Sequence, residues 1–404
     1  MTRKRLMMVA STGRPFREYT LADMSAVVDL VLVDDRDLSW QEPYVSRFHQ
    51  ADPRDAAAVA RIARAEAPDG LVTYDDALVE MVADLAAELG LPQATPEAVR
   101  RCKDKASLRA CLEAAGLGPV RFAVVTDEHE ALAAAEDMGY PVVLKPRDLG
   151  GSIGVVRADS KDELLAGYAM TAGTRARFSE IDGPAGVLVE EYLDGPEFSV
   201  DCLTWRGVTH PLFVAEKVLG LAPYFEEVGH IVPAAPHPDL DEALRLVCEA
   251  HRAAGLDDLA THTEFRFTAR GPRIIEINVR LGGDLIPHLG LLATGVDLSA
   301  ATAQVAVGGE PRLTANRSRV ATVHMIYPPH DMTFRRIRLD GGPERFPGLE
   351  RFETIVPEGR QVRLPPGGFR SRVGYAVVTG ADRAECLARR DAVAAAVVVE
   401  GEAW

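Results

Sequence analysis

The sequence predicts a protein of mixed α/β and α+β class with three domains. Its 404 residues, 47% of them apolar, are enough for two or three domains, each with its own hydrophobic core. Short apolar strands alternate with Ala-rich helices at the start of the chain, whereas strands that carry polar side chains dominate the middle. We expect domain bounds at residues 1–94, 95–310 and 311–404.

The N-terminal domain is predicted to hold a parallel sheet. Its strands are the apolar runs LMMVAS, AVVDLVLVDD and GLVTYDD, and its helices include AAAVARIARAEAP and ALVEMVADLAAELG. Such alternation forms βαβ units. No Gly-x-Gly-x-x-Gly pattern follows the first strand, so we expect a Rossmann-like scaffold without its own cofactor. Asp75 and Asp76 follow the last strand, where a helix N-cap role is expected.

The C-terminal domain is predicted to be small and of α+β type. Beyond Pro311 the chain is richer in Pro, Gly and Arg. The strand-like segments VATVHMIY and VGYAVVTG precede the helical segment RAECLARRDAVAAAV. We expect this unit to close over the middle domain.

Charge and cysteine content restrict the partners and the compartment. A net charge of −15 works against binding to nucleic acid or to an anionic membrane, because both favour a basic face. The five cysteines form no Cys-x-x-Cys pair and are odd in number, which fits a reducing cytoplasm. The first apolar run is too short for a signal peptide, and we expect a cytoplasmic protein.

The segment IIEINVRLGGD carries the strongest local signal. Glu276, Asn278 and Arg280 occupy alternate positions of an otherwise apolar strand, so they share one face. A carboxylate and an amide oxygen suit Mg²⁺, and a guanidinium suits the phosphate beside it.

The preceding segment THTEFRF repeats this pattern with His262, Glu264 and Arg266. Glu264 can supply a second carboxylate, which would allow two metal ions to bridge phosphate groups. A solvated strand edge would explain either segment alone. Two such strands joined by a short RGPR turn favour a metal and phosphate site.

A glycine-rich loop follows the strand YPVVLKP, which ends near Lys145. Gly150, Gly151 and Gly154 let backbone N–H groups converge on phosphate, and the lysine adds a point charge. Further on, VLVEEYLDGPEFSV places Glu190, Glu191 and Glu197 where they could hold adenine and ribose, although an ordinary acidic hairpin would look the same.

Taken in order, these segments resemble the ATP-grasp superfamily, in which two α+β lobes hold ATP. The resemblance implies an ATP-grasp fold, with the N-terminal domain as its pre-ATP-grasp unit, and a Mg²⁺ site of two ions on Glu264, Glu276 and Asn278. It assigns to ATP the residues Lys105, Lys145, Gly151, Ser152, Gly154, Glu190, Glu191, Leu193 and Glu197.

Within that superfamily the chain is similar to the L-amino acid ligases, a group that makes dipeptides. The segment PYFEEVGHIVPA resembles their Phe-x-Glu-x-Gly-His pattern, which puts Glu227 and His230 in the amino acid site. Biotin carboxylases have a Gln-Val-Glu-His type of sequence after the arginine of the metal strand. Leu281, Gly282, Gly283 and Asp284 stand there instead, which counts against bicarbonate chemistry and leaves Asp284 as a possible selector of the second substrate.

The activity implied is an ATP-dependent carboxylate–amine ligase that acts through an acyl phosphate. Lys145 and Arg280 would offset charge on the transferred phosphoryl group. Arg280 and the backbone at Gly282 and Gly283 would stabilise the tetrahedral intermediate, and His230 or Asp284 would accept the amine proton. A ligase with a non-amino-acid substrate is the alternative, and the resemblance also suggests a homodimer.

Overall fold

The computed structural model describes residues 3–178 and 184–403. The first unit is a parallel sheet in the strand order β3-β2-β1-β4, as the βαβ pattern predicts. Its strands are β1 (Arg5–Val9), β2 (Asp29–Asp34), β3 (Arg47–Gln50) and β4 (Gly70–Val72), and its helices are α1 (Arg14–Val27), α2 (Ala56–Glu66) and α3 (Val79–Leu89). The sheet is buried on both faces: Met7 and Val31 face one apolar cluster, whereas Leu6 and Leu32 face another.

Two helices connect this unit to a small antiparallel lobe. They are α4 (Pro96–Lys103) and α5 (Lys105–Ala114), capped by the side chains of Thr95 and Asp104. The lobe has the strand order β5-β8-β6-β7. Its elements are β5 (Phe122–Val125), α6 (Glu128–Met138), β6 (Val142–Pro146), β7 (Val156–Ala158), α7 (Lys161–Phe178) and β8 (Val187–Glu191). The glycine-rich loop joins β6 to β7, so it lies at one edge of this lobe.

An eight-stranded antiparallel sheet forms the body of the remaining chain, in the order β13-β12-β9-β10-β11-β14-β18-β16. Its first members are β9 (Glu197–Trp205), β10 (Val208–Gly220), β11 (Glu226–Val232), β12 (Leu259–Thr268) and β13 (Gly271–Asn278). The later members are β14 (Val320–Ile326), β16 (Leu349–Thr354) and β18 (Gly374–Gly380). Because β11 pairs with β14, the sheet continues across residue 311.

Helices and a smaller sheet complete the fold. A three-stranded sheet consists of β15 (Met332–Leu339), β17 (Gln361–Val362) and β19 (Val397–Ala403). The helices are α8 (Leu240–Ala254), α9 (Ile286–Thr294), α10 (Leu298–Ala306) and α11 (Arg383–Ala396), and short 3₁₀ turns lie at Glu42–Tyr44 and Pro343–Arg345. Within the described ranges no single helix meets the length and hydropathy needed to cross a bilayer; α9 and α10 meet it only as a pair bent by 110°.

The expected C-terminal elements VATVHMIY, VGYAVVTG and RAECLARRDAVAAAV form β14, β18 and α11. One detail of the predicted metal strand is wrong. The strand β13 ends at Asn278, so Arg280 lies two residues beyond it and not on its face.

Candidate active site

Two adjacent cavities meet on the large sheet. One, of about 1060 Å³, opens between the N-terminal unit and the body of the protein. The other, of about 80 Å³, lies between the small lobe and the large sheet. Glu227, Glu264 and Glu276 line both cavities. The smaller cavity collects most residues that the resemblance assigns to ATP: Lys105, Lys145, Ser152, Glu190, Glu191, Leu193 and Glu197.

The predicted metal residues lie together on paired strands. In the register of β12 and β13, Glu264 is opposite Glu276 and His262 is opposite Asn278. The Asn278 amide donates a hydrogen bond to Glu276 Oε1 at 2.9 Å, and Lys105 Nζ lies 3.0 Å from Glu276 Oε2. Arg280 stays within reach, because its Nη2 is 3.4 Å from Asn278 Oδ1.

Mg²⁺ fits this donor set. Two carboxylates and an amide offer hard oxygen atoms on neighbouring strands, and both carboxylates border the two cavities. Burial raises the pKa of Glu276, but Lys105 and the Asn278 amide outweigh it, so the net pKa is lowered and the group is ionised. The assignment of these residues as metal ligands stays a prediction.

Lys217 contacts three glutamates of the site, and the sequence analysis did not identify it. Its side chain is 1% exposed, and its Nζ lies 2.7 Å from Glu197, 3.0 Å from Glu227 and 2.8 Å from Glu264. Burial lowers its pKa, but the three carboxylates raise it well above the usual value. Lys217 and Glu216 are the two charged residues in the run LFVAEKVLG, and a lysine inside a mostly apolar strand was the available signal.

Glu190 is held by two cations. Lys145 Nζ lies 2.6 Å from Glu190 Oε2, and Arg109 Nε lies 2.7 Å from Glu190 Oε1. Burial lowers the pKa of Lys145 to about 8, against the opposing charge of Glu190. The sequence analysis assigned Glu190 to adenine and missed Arg109, which also donates to the carbonyl oxygens of Ile274 and Ile275.

The segment expected to meet adenine and ribose has partners of its own. The backbone N–H of Glu191 donates to the carbonyl oxygen of Arg121, and the carbonyl oxygen of Leu193 accepts from the Arg266 side chain. Arg266 also lies 2.8 Å from Glu197 Oε2. These residues line the smaller cavity, and the named groups are already hydrogen-bonded or ion-paired to other groups of the protein.

The glycine-rich loop divides between the two cavities. Ser152 lines the smaller one and Gly151 the larger one, whereas Gly154 lines neither. Gly154 has φ +74°, and a Cβ there would lie 2.9 Å from the Thr174 side chain. Glycine at this position is therefore needed for the loop to pack against α7.

The residues expected to recognise the first amino acid form one cluster. His230 Nε2 lies 3.2 Å from Glu227 Oε2 and 3.4 Å from Asp284 Oδ2. Arg372 pairs with Asp284, and its Nε donates to the Tyr327 hydroxyl. Burial lowers the pKa of His230, but hydrogen bonds to Asp284 and Glu227 raise it overall. Sequence reasoning did not single out Arg372, which lies far along the chain.

Ligand atoms of Glu227, His230 and Asp284 also come within 4.8 Å of one another. That spacing alone would suit a cation. However, Lys217 and Arg372 already oppose the two carboxylates, and the raised pKa of His230 favours its protonated form. The cluster is therefore better suited to an ammonium and carboxylate network than to a metal.

The loop after β13 lies against a buried Asp–His pair. Asp201 Oδ1 is 2.5 Å from His262 Nδ1, and the Asp201 charge raises the pKa of His262 to about 9 although burial lowers it. A Cβ on Gly282 would lie 3.0 Å from both side chains, whereas one on Gly283 would meet nothing within 4 Å. Gly283 and Asp284 line the larger cavity.

The N-cap role expected near Asp75 and Asp76 is wrong for α3. That helix begins at Val79 with Leu78 as its N-cap. Asp76 instead pairs with Lys103, and its Oδ1 lies 3.4 Å from Arg280 Nε. The N-terminal unit thus contributes a carboxylate that positions Arg280.

The chain is similar to several known proteins. Residues 138–288 match the ATP-grasp domain family. The Sinorhizobium fredii protein y4rH, described as uncharacterized, is 29% identical over 329 residues, and human carnosine synthase 1 is 29% identical over 292 residues. A solved L-amino acid ligase from Bacillus licheniformis matches with a TM-score of 0.83 at 22% identity, over all of both chains.

The two sequence matches are partial. They cover 78% and 67% of this chain, and they span 64% of y4rH and 35% of carnosine synthase 1. The structural match extends over the whole chain and establishes the fold. Residues 138–288 therefore match the ATP-grasp domain family, and the whole chain shares the fold of the solved L-amino acid ligase.

Proposed function

We propose that this protein is an ATP- and Mg²⁺-dependent ligase that joins the carboxylate of one amino acid to the amine of another through an acyl phosphate. One observation carries the proposal: Glu227, Glu264 and Glu276 form the common border of the two cavities. A nucleotide in the smaller cavity and an amino acid in the larger one would meet across this border.

Cations near the border support the phosphoryl transfer. Lys105 and Lys145 line the smaller cavity, and Arg280 lines the larger one. A substrate carboxylate placed between them would attack the γ-phosphate with its developing charge offset from both sides. Glu264, Glu276 and Asn278 would hold Mg²⁺, which when bound would act as a Lewis acid and offset charge on the phosphate oxygens.

The amine attack then falls on the side of the larger cavity. Arg280 and the backbone N–H groups at Gly282 and Gly283 are the donors proposed for the tetrahedral oxyanion. The loss of one such donor typically lowers turnover about 10²- to 10³-fold. His230 and Asp284 are the two candidate bases. Arg372 lowers the pKa of Asp284 despite burial, which keeps this carboxylate ionised but makes it a weak base, whereas the raised pKa of His230 favours its protonated form.

Glu227 is proposed to receive the α-ammonium of the activated amino acid. Its carboxylate borders both cavities, and Lys217 lowers its pKa well below the usual value although burial raises it. An ionised carboxylate at the cavity border can accept hydrogen bonds from an ammonium group.

The test is phosphate release from Mg·ATP with single amino acids and then with pairs, followed by mass spectrometry of the products. We expect release that requires a particular pair and yields the matching dipeptide mass. Glu276→Ala is expected to abolish it. Release with a non-amino-acid carboxylate or amine, and none with any pair, would replace the proposal by the alternative substrate class.

A further inference from the structure

Arg17 is a buried cation in the larger cavity and forms no ion pair with a carboxylate of the described residues. It lies on α1, it is 9% exposed, and it lines the cavity beside Arg280 and Asp284. Its Nη1 donates to the Gly282 carbonyl oxygen at 3.3 Å, and its guanidinium lies 4.8 Å over the Tyr74 ring. Across residues 3–178 and 184–403, no carboxylate oxygen comes within 4.0 Å of it.

The other buried cations around the two cavities differ from Arg17 in this respect. Each has an acidic partner: Lys105 with Glu276, Lys145 and Arg109 with Glu190, Lys217 with three glutamates, Arg266 with Glu197 and Arg372 with Asp284. A buried charge without a direct ion pair is costly, and burial lowers the pKa of Arg17 although the charge of Asp284 raises it. A guanidinium kept in this environment is therefore suited to an anion that arrives with a ligand.

Two further features point to an anion at the same place. The Tyr74 hydroxyl is buried and has no hydrogen-bond partner in the part of the chain that the structure describes, and Tyr74 lines the larger cavity. The 14-residue helix α1 begins at Arg14 behind an N-cap glycine, without a side-chain cap and without an acidic residue in its first turn. Thr12, Gly13 and Phe16 from this end of α1 line the cavity. The positive end of the helix dipole therefore adds to the charge of Arg17.

We propose, on the basis of the proposed ligase function, that Arg17, the Tyr74 hydroxyl and the N-terminus of α1 bind the carboxylate of the second substrate. The attacking amine therefore belongs to an amino acid or peptide and not to a simple amine. This role belongs to the N-terminal unit, whose sheet carries no dinucleotide-binding glycine pattern.

The position of Arg17 suits this substrate rather than the nucleotide. Arg17 and Tyr74 line the larger cavity and are absent from the residues around the smaller one. The hydrogen bond of Arg17 to Gly282 places it one residue from Gly283, beside the proposed point of amine attack. A planar guanidinium and a hydroxyl also match a planar carboxylate, which accepts paired hydrogen bonds.

The first test is a thermal shift measurement in Mg·ADP with N-acetylglycine, which has a carboxylate and no amine that could react. Its control ligand is N-acetylglycinamide at the same concentration. We expect the melting temperature of the wild type to rise with the carboxylate only. Arg17→Met should abolish this shift, and Arg335→Met, at a 66% exposed position of β15 outside the cavity lining, should keep it.

Tyr74→Phe covers the case in which Arg17→Met does not fold. It removes only a hydroxyl that has no protein partner, so we expect a folded protein that binds N-acetylglycine about tenfold more weakly. An equal shift with the amide, or an unchanged shift in both variants, would overturn the proposal.

A kinetic measurement separates this proposal from the ligase assignment. With a productive pair, Arg17→Met should raise the KM of the acceptor about 10- to 100-fold and leave the KM of ATP unchanged. Replacing the acceptor by its carboxamide should raise the KM of the wild type by a similar factor. If the wild type joins no pair, the ligase proposal fails, and the thermal shift data alone decide whether Arg17 binds a carboxylate.

Discussion

Replacement of Lys217 by Met tests the charge balance on which the site depends. The ammonium is 1% exposed and contacts Glu197, Glu227 and Glu264 at 2.7, 3.0 and 2.8 Å. Methionine has a similar length and no charge, so the variant leaves the three carboxylates without their shared partner. Removing one side of a buried ion pair typically costs about 3–5 kcal/mol.

The loss of stability should stay in that range and should not reach three times that value, although three carboxylates lose a partner. Glu197 keeps Arg266 at 2.8 Å, Glu227 keeps His230 at 3.2 Å, and His262 Nε2 lies 3.5 Å from Glu264 Oε1. Each carboxylate therefore retains one positively charged neighbour. At an m value of about 3 kcal/mol/M, the loss shifts the urea midpoint by about 1–2 M.

The pH dependence gives a second measure of the same effect. Burial raises the pKa of Glu197 and Glu227, but Lys217 lowers it overall. A carboxylate whose pKa is lowered by folding stabilises the protein above its unfolded-state pKa, and this stabilisation is lost as the pH falls through its folded-state pKa. Lys217, whose pKa is raised, contributes below its unfolded pKa and loses this contribution only as pH rises through the folded value. The difference in free energy of unfolding between wild type and variant should therefore be largest near pH 7 and should decrease at acidic pH.

The matched control is Arg100→Met. Arg100 is 46% exposed and pairs with Asp84, so its removal should cost less than about 1 kcal/mol. We would measure urea unfolding of wild type and both variants by fluorescence at pH 7 and at lower pH. A Lys217→Met midpoint no lower than that of Arg100→Met would refute the reasoning.

Other perturbations test separate parts of the site. Gly282→Ala should lower the free energy of unfolding by about 1–3 kcal/mol, because the added Cβ would press on Asp201 and His262. A Cβ at Gly283 would meet nothing within 4 Å, so Gly283→Ala should change the free energy of unfolding by no more than about 0.5 kcal/mol. Thermal unfolding compares the two variants, and equal losses of stability would contradict the packing argument. Asp76→Asn should lower turnover about 10- to 100-fold with little change in the KM of ATP, because it removes the carboxylate that positions Arg280. Steady-state kinetics measure both values, and unchanged turnover would show that Asp76 does not position Arg280. Removing divalent ions with EDTA should stop phosphate release and excess Mg²⁺ should restore it; release that persists in EDTA would exclude a metal role for Glu264 and Glu276.

Local pattern predicted much of the fold. Strand and helix alternation gave the parallel sheet, and the later strands β14 and β18 and helix α11 appear where their apolar periodicity places them. Pairing between distant strands was not visible in the sequence. The junction of β11 with β14 depends on side chains that meet only after folding, so the pattern could not show that one sheet crosses residue 311.

The site was predictable where its residues share a strand or a motif. Glu276 and Asn278 stand at alternate positions of β13 and so share one face, and the register with β12 places Glu264 opposite Glu276. Arg109, Arg372 and Arg17 reach the site from distant helices and loops, so no spacing connects them with it. Lys217 is an intermediate case, because a lysine in an apolar strand indicates a buried charge without revealing its partners.

The most direct test of the central claim follows oxygen from the substrate carboxylate. The activated amino acid would be labelled with ¹⁸O in both carboxyl oxygens and turned over with Mg·ATP and its partner. If the carboxylate attacks the γ-phosphate, one labelled oxygen becomes the bridge of the acyl phosphate and leaves with phosphate when the amine displaces it. We expect one ¹⁸O atom in the released phosphate; unlabelled phosphate, or label in AMP, would contradict the acyl phosphate mechanism.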